Sequence, residues 1–190
     1  MQTYTHLAVG TAIGGLLAVY FPHQPLVPTA CIIASIGPDL VMAPPYILAK
    51  LAHKPPLAEQ GKFLMALKEM EHSLLLCMLL GVGIRFLPEG WKFWQVIGYA
   101  FVWGWLSHIV IDIFTHGAGP KENRPYWETD LMFMWPLPID LRPLGLWEYR
   151  YGTGILWPPK PFEAIVLGLA TGVAIVAWTF TIAPSLIRLI

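Results

Sequence analysis

Two long apolar runs constrain this chain more than any other feature of its sequence. They extend from Trp91 to His116 and from Glu163 to Ile187. Each run is long enough to cross a hydrocarbon core of about 30 Å, which requires roughly 20 helical residues. In lipid, only helices and closed barrels satisfy their backbone hydrogen bonds within the chain. The two runs therefore predict an all-α integral membrane protein.

Three shorter apolar runs, 6–21, 26–38 and 72–87, accompany the two long ones. The first and third are of marginal length for a membrane span, and the second is short enough to enter only halfway. We therefore expect a bundle of about five membrane-associated helices, which form one domain over residues 1–190. Charged residues make up only 13% of the chain, against roughly a quarter in soluble domains. This apolar composition leads us to expect membrane lipid as a partner. Because no basic block or RNA-binding motif is present, we expect no nucleic acid as a partner.

Two longer connections separate these runs. The stretch from Asp39 to Glu71 contains two proline pairs, Pro44-Pro45 and Pro55-Pro56, and four lysines. The stretch 117–162 contains eight prolines and many tryptophans and tyrosines. Proline interrupts regular structure, and Tyr and Trp favour the membrane interface. The second stretch is therefore predicted to be an irregular cap at that interface.

The distribution of basic residues predicts the orientation in the membrane. If each run reverses the path of the chain, the N-terminus and both long connections lie on one side. That side carries nine of the 12 basic residues. Cytoplasmic loops are enriched in Lys and Arg, so the long connections are expected in the cytoplasm. The predicted location is a bacterial or archaeal cytoplasmic membrane.

Several ionisable residues fall at the same end of the predicted bundle. His6 opens the first run, Asp39 closes the second, and Glu71 and His72 open the third. The last turns of the fourth run contain His108, Asp112 and His116. Ionisable groups near apolar helices are costly and usually have partners. A spacing of four residues places His108 and Asp112 on one helix face. Imidazole and carboxylate together suit a divalent metal, with Zn²⁺ first and Mn²⁺ or Fe²⁺ as alternatives.

Each of these residues also has a purely structural interpretation. His108 and Asp112 could form a buried hydrogen-bonded pair. Asp39 could cap a turn or a helix start, and His72 could cap the third helix. His6 could be an interfacial histidine without a ligand, and His116 could only decorate the end of its helix.

The order of the short motifs resembles one protein family. These motifs are Thr5-His6-Leu7, Gly37-Pro38-Asp39, Glu71-His72-Ser73-Leu74-Leu75, Leu106-Ser107-His108 followed by Asp112-Ile113-Phe114-Thr115, and Met134-Trp135-Pro136-Leu137. Over roughly residues 5–140 the chain resembles membrane-bound metal-dependent hydrolases, the LexA-regulated YdjM-like inner-membrane proteins. The resemblance implies a helical metal site related to that of zinc-dependent phospholipase C.

The resemblance also implies which residues bind the metal. The implied ligands are His6, Asp39, His72, His108 and Asp112. Two departures are visible. Val41 stands where the family often has a second aspartate, and residues 66–71 lack the His-Arg pair that commonly precedes the histidine of the third motif.

The leading functional hypothesis is a phospholipase C-like metal-dependent hydrolase of a lipid or lipid-linked phosphodiester. A metal-activated water would attack the substrate, with Glu71 or Asp112 as general base. Arg142 or Arg150 of the cap would bind the phosphate. The alternative is a non-enzymatic membrane protein, either a metal or proton transporter or a structural subunit with a degenerate metal site.

Overall fold

The computed structural model describes residues 3–51, 62–115, 134, 136–137 and 161–187. These residues form six α-helices and one short 3₁₀ turn. The helices are α1 (Thr3–Tyr20), α2 (Leu26–Leu51), α3 (Lys62–Glu71), α4 (Leu74–Arg85), α5 (Lys92–Thr115) and α6 (Pro161–Ile187), and the 3₁₀ turn is Glu89–Trp91. The predicted all-helical class is confirmed.

The direction of each helix follows from the residues that meet at its interfaces. Gly10 on α1 faces Ser35 on α2, and Gly14 faces Pro28, so α1 and α2 are antiparallel. Cys31 meets Gly104 and Ser35 meets His108, so α2 and α5 are parallel. Ile84 and Cys77 of α4 meet Gly98 and Val102 of α5, so α4 and α5 are antiparallel. Ala12 and Gly15 of α1 meet Ala174 and Ala177 of α6, so α1 and α6 are parallel. The ends of α2 and α5 and the starts of α1, α4 and α6 therefore lie at one end of the bundle, here called the site end.

The second helix differs from its prediction. The apolar run was expected to end at Pro38, whereas α2 continues through Pro38 and Pro44 to Leu51. A proline inside a helix removes one hydrogen bond and crowds the preceding turn. Membrane helices tolerate this loss when neighbouring helices support the segment. Here α2 packs closely against both α1 and α5, and just beyond Pro38 the side chain of Asp39 accepts a hydrogen bond from Thr3 of α1.

The stretch 39–71 is also more regular than expected. Besides the extension of α2, it contains α3, which makes the described helices six rather than about five. The apolar residues of α3 are interrupted by Lys68, Glu69 and Glu71. These charged residues lower the mean hydropathy of α3, so its sequence does not stand out as an apolar run. The other predicted runs agree with α1, α4, α5 and α6 to within a few residues.

Apolar side chains cover much of the outer surface of the bundle. Two segments, Glu89–Ile113 and Ala164–Ile182, are long and apolar enough to span a membrane, and most of their residues are not buried by the rest of the protein. Leu169 and Phe180 on α6 are about 70% exposed. Soluble monomers rarely expose continuous apolar patches of this kind. Lipid would cover this surface and remove it from water.

Candidate metal centre

Five predicted ligand residues come together at the site end. His6 comes from α1, Asp39 from α2, His72 from the α3–α4 junction, and His108 and Asp112 from α5. Four of the five are buried, and His108 has no exposed surface at all. Asp39 is the most accessible, with 29% of its side chain exposed. The site is therefore closed on the bundle side and open beside Asp39.

Backbone carbonyls hold two of the three imidazoles. Nδ1 of His108 lies 2.8 Å from the carbonyl oxygen of Ser35, and Nδ1 of His72 lies 2.9 Å from that of Lys68. A carbonyl oxygen can only accept, so each Nδ1 must donate a proton. In a neutral ring the proton on Nδ1 leaves a lone pair on Nε2. This arrangement is the one that metal-binding histidines usually adopt.

The two lone pairs and one carboxylate oxygen form a small triangle. Nε2 of His108 lies 3.4 Å from Nε2 of His72 and 3.2 Å from Oδ2 of Asp112. Nε2 of His72 lies 3.6 Å from the same oxygen. Metal–ligand bonds of about 2.0–2.2 Å in a tetrahedron give ligand–ligand distances of about 3.3–3.6 Å. Because three buried acceptor atoms at these distances repel one another unless a cation lies between them, the donor set fits a divalent metal.

His6 lies on the other side of Asp112. Its ring stacks on that of His108 with a centroid distance of 3.9 Å, and its Nε2 lies 3.1 Å from Oδ1 of Asp112. Both ring nitrogens of His6 are buried; Nε2 has the Asp112 carboxylate oxygen beside it, whereas Nδ1 has no hydrogen-bond partner. Buried polar atoms without partners are rare and require an explanation such as an ion. His6, His108 and Asp112 offer ligand atoms within 4.8 Å of one another.

Asp39 completes the cluster at its open edge. Its Oδ1 lies 4.0 Å from Nε2 of His108, and its Oδ2 accepts a 2.7 Å hydrogen bond from the hydroxyl of Thr3. Asp39, His72 and His108 form a second group that could hold an ion. Asp39 lies inside α2, so the capping interpretation of this residue is wrong.

Glu71 lies directly before His72 and is half-buried. Its Oε2 is buried without a hydrogen-bond partner, while its backbone carbonyl accepts a hydrogen bond from the indole of Trp105. Burial raises the pKa of the Glu71 carboxyl to about 7, although the nearby His108 opposes this shift. The cap of the following helix is Ser73, whose hydroxyl accepts from the amide of Leu76. The prediction that His72 could cap α4 is therefore wrong.

Several contacts that build the site were not predicted from the sequence. The carbonyls of Ser35 and Lys68 have no sequence signal, because every residue has a carbonyl. Thr3 and Trp105 carry no recognisable motif. Ser73 had a signal, since a serine directly before an apolar run is a common helix cap. Four predicted features, namely Arg142, Arg150, His116 and most of the 117–162 cap, lie outside the described residues.

The histidine and aspartate motifs that form this site lie within a region that matches a known protein family. A family model described as YdjM inner membrane protein matches residues 1–186. The chain belongs to the YdjM inner membrane protein family. This membership agrees with the two candidate spans and places the protein in an inner membrane. No curated protein and no solved structure matches the chain.

Proposed function

We propose that this YdjM-family protein is a membrane-bound, metal-dependent hydrolase of a lipid or lipid-linked phosphodiester. The observation that carries the proposal is the buried triangle of His72, His108 and Asp112. Two neutral imidazoles and a carboxylate facing one another match the three-ligand sets of catalytic zinc sites, which leave one position for water. Zn²⁺ is the proposed metal, with Mn²⁺ or Fe²⁺ as alternatives.

The remaining predicted ligands would complete the site in different ways. His6 faces the second oxygen of Asp112 and fixes the direction of that carboxylate. Asp39 adds a second negative charge at the open edge, where a ligand can exchange with solvent. A bound divalent metal would lower the pKa of its water and polarise a phosphoryl oxygen.

Glu71 is the better of the two proposed general bases. Both oxygens of Asp112 lie within 3.6 Å of histidine nitrogens, so this carboxylate is occupied by its neighbours. The Oε2 of Glu71 has no hydrogen-bond partner and lies beside His72 in the chain. A carboxylate close to His108 can accept a proton from a water bound at the site.

The depth of the site favours a lipid substrate. Exposed Trp91 and Trp94 lie at the start of α5, where tryptophans commonly mark a membrane interface. Asp112 follows about 20 residues later, which corresponds to about 30 Å along a helix. The site would therefore lie near the opposite interface, at the level of lipid head groups. Arg142 and Arg150 of the cap remain the proposed phosphate-binding residues.

The transporter alternative has less support. A transporter needs ligands near the middle of the membrane and polar residues that continue to the far side. Along α5, the stretch from Phe93 to Ser107 contains no acidic, basic or histidine residue. In the described part of the chain, the candidate ligands lie at the site end alone.

Hydrolysis in a defined bilayer would test the proposal. The full-length protein in nanodiscs of phosphatidylglycerol and phosphatidylethanolamine, supplied with Zn²⁺, should release diacylglycerol, which mass spectrometry detects. His108→Ala should reduce the rate to background, whereas His23→Ala should not change it, because His23 lies in the exposed turn at the opposite end. Equal rates in wild type and His108→Ala would contradict a reaction at this site. A lipid-linked phosphodiester in the same nanodiscs tests the second substrate class.

A further inference from the structure

The segment formed by α3 and α4, here called the α3–α4 arm (residues 62–85), carries Glu71 and His72. It makes few packing contacts with the other described helices. Among the described helices, α4 packs mainly on α5, and α3 touches α2 through only a few residues. The other ligands lie on α1, α2 and α5, which pack extensively together. The position of His72 relative to His108 and Asp112 therefore depends on how the arm is fixed to α5.

One hydrogen bond joins the arm to α5 close to the site. Nε1 of Trp105 donates to the backbone carbonyl of Glu71. Glu71 is the last residue of α3, and the last carbonyls of a helix have no donor within it. Trp105 comes three residues before His108 on α5, so one rigid helical turn joins the donor to the ligand.

The surroundings of Trp105 leave its indole little freedom. Its ring packs against the buried cluster of Cys77, Ile109 and Ile113, which joins α4 to α5. A second contact between the helices, from Sγ of Cys77 to the carbonyl of Val102, is long at 3.7 Å, and thiols are weak donors. The indole N–H is thus a well-placed directional contact between the arm and α5 close to the site.

We infer that Trp105 is a positioning residue that sets the distance from His72 to His108 and Asp112. This inference rests on the proposed metal centre but not on the hydrolytic reaction. Without the indole N–H, the carbonyl of Glu71 loses its donor and the junction shifts. The triangle then widens on the His72 side, while the His108–Asp112 edge within α5 stays unchanged.

Replacing one atom of the Trp105 side chain distinguishes a positioning role of its N–H group from a packing role of its ring. Benzothienylalanine at position 105 keeps the bicyclic shape of the tryptophan but replaces the indole N–H with sulfur. Trp103→Phe is the matched control, because Trp103 lies on the same helix and is 54% exposed. The full-length proteins in detergent are titrated with Co²⁺, whose visible absorption bands report the number and geometry of its ligands. Thermal unfolding of the metal-free proteins is measured in parallel.

The variant at position 105 should bind Co²⁺ about 10–100-fold more weakly, as is typical when an outer contact of a metal ligand is lost. Its absorption bands should move toward those of His72→Ala, and Trp103→Phe should resemble wild type. Unchanged affinity and bands, even with a lower unfolding temperature, would overturn the inference. Wild type without Co²⁺ binding would overturn it together with the proposed function. Wild type that binds Co²⁺ but hydrolyses no lipid would remove the proposed function alone.

Discussion

At the scale of single residues, Asp112 is the centre of the site. Its two carboxylate oxygens lie within 3.6 Å of nitrogens from His6, His72 and His108. A buried carboxylate is costly unless it is paired or binds a metal. In their neutral form His72 and His108 use their Nδ1 protons for backbone carbonyls, so they present lone pairs to Asp112. These two rings and the carboxylate therefore form a group that can hold a divalent cation, and His6 adds a third imidazole.

We expect His72→Ala, His108→Ala and Asp112→Ala each to reduce the bound metal to roughly a tenth of the wild-type content or less, because each removes a ligand of the three-ligand set. His116→Ala should have less effect, since its position in the sequence is at the predicted end of the helix. Metal content is measured by mass spectrometry of purified protein after a chelator wash. His23→Ala is the control. Equal metal in wild type and His108→Ala would favour the structural-subunit alternative.

At the scale of elements, two glycines bring the helices close enough to form the site. A Cβ on Gly104 would collide with the backbone carbonyl of Cys31, and one on Gly10 would collide with the side chain of Ser35. Small residues commonly allow such close contact between membrane helices. The contact between α2 and α5 at Gly104 lies one turn before the bond from His108 to the carbonyl of Ser35. Helix packing and ligand orientation are therefore coupled along this interface.

Gly104→Ala should destabilise the protein by about 1–3 kcal/mol, the usual cost of overpacking, because the obstacle is backbone rather than a movable side chain. It should also weaken metal binding, since α2 is pushed away from His108. Gly83→Ala is the matched control, because nothing lies within 4 Å of its added Cβ. Alanine there should be neutral or slightly stabilising through its helix propensity. Thermal unfolding in detergent checks both, and similar unfolding temperatures for the two variants would argue against the close contact.

Some features of this site could be predicted from the sequence, whereas others depend on how the helices pack. The four-residue spacing of His108 and Asp112 requires only helical geometry, so this pair was predictable. The convergence of His6, Asp39 and His72 followed from their common level in the alternating path of the chain. The carbonyl partners at Ser35 and Lys68 depend on the rotation and spacing of packed helices. The continuation of α2 beyond Pro38 was also not predictable, because the local signal of proline favours the end of a helix.

At the scale of the whole molecule, the site end and the opposite end differ in charge and composition. The alternating helix directions place the starts of α1 and α6 and the ends of α2 and α5 at the site end, and the connections 52–61 and 116–160 follow α2 and α5 in the sequence. Nine of the 12 basic residues belong to these regions or adjoin them, namely Lys50, Lys54, Lys62, Lys68, Lys121, Arg124, Arg142, Arg150 and Lys160. The opposite end has Arg85 and Lys92 together with exposed aromatic residues, and Arg188 directly follows α6 in the sequence. This asymmetry favours a site that faces the cytoplasm.

Cysteine labelling in cells tests this orientation with two matched substitutions. Lys121→Cys changes a residue of the sequence that connects the site-end termini of α5 and α6, and Lys92→Cys changes the exposed start of α5 at the opposite end. The native Cys31 and Cys77 are fully buried, so the wild-type protein should give little background. A membrane-impermeant maleimide added to intact spheroplasts should label Lys92→Cys but not Lys121→Cys, and inside-out vesicles should reverse the pattern. Labelling of Lys121→Cys in intact spheroplasts would place the site on the outer face, where a hydrolase would meet lipids of the other leaflet.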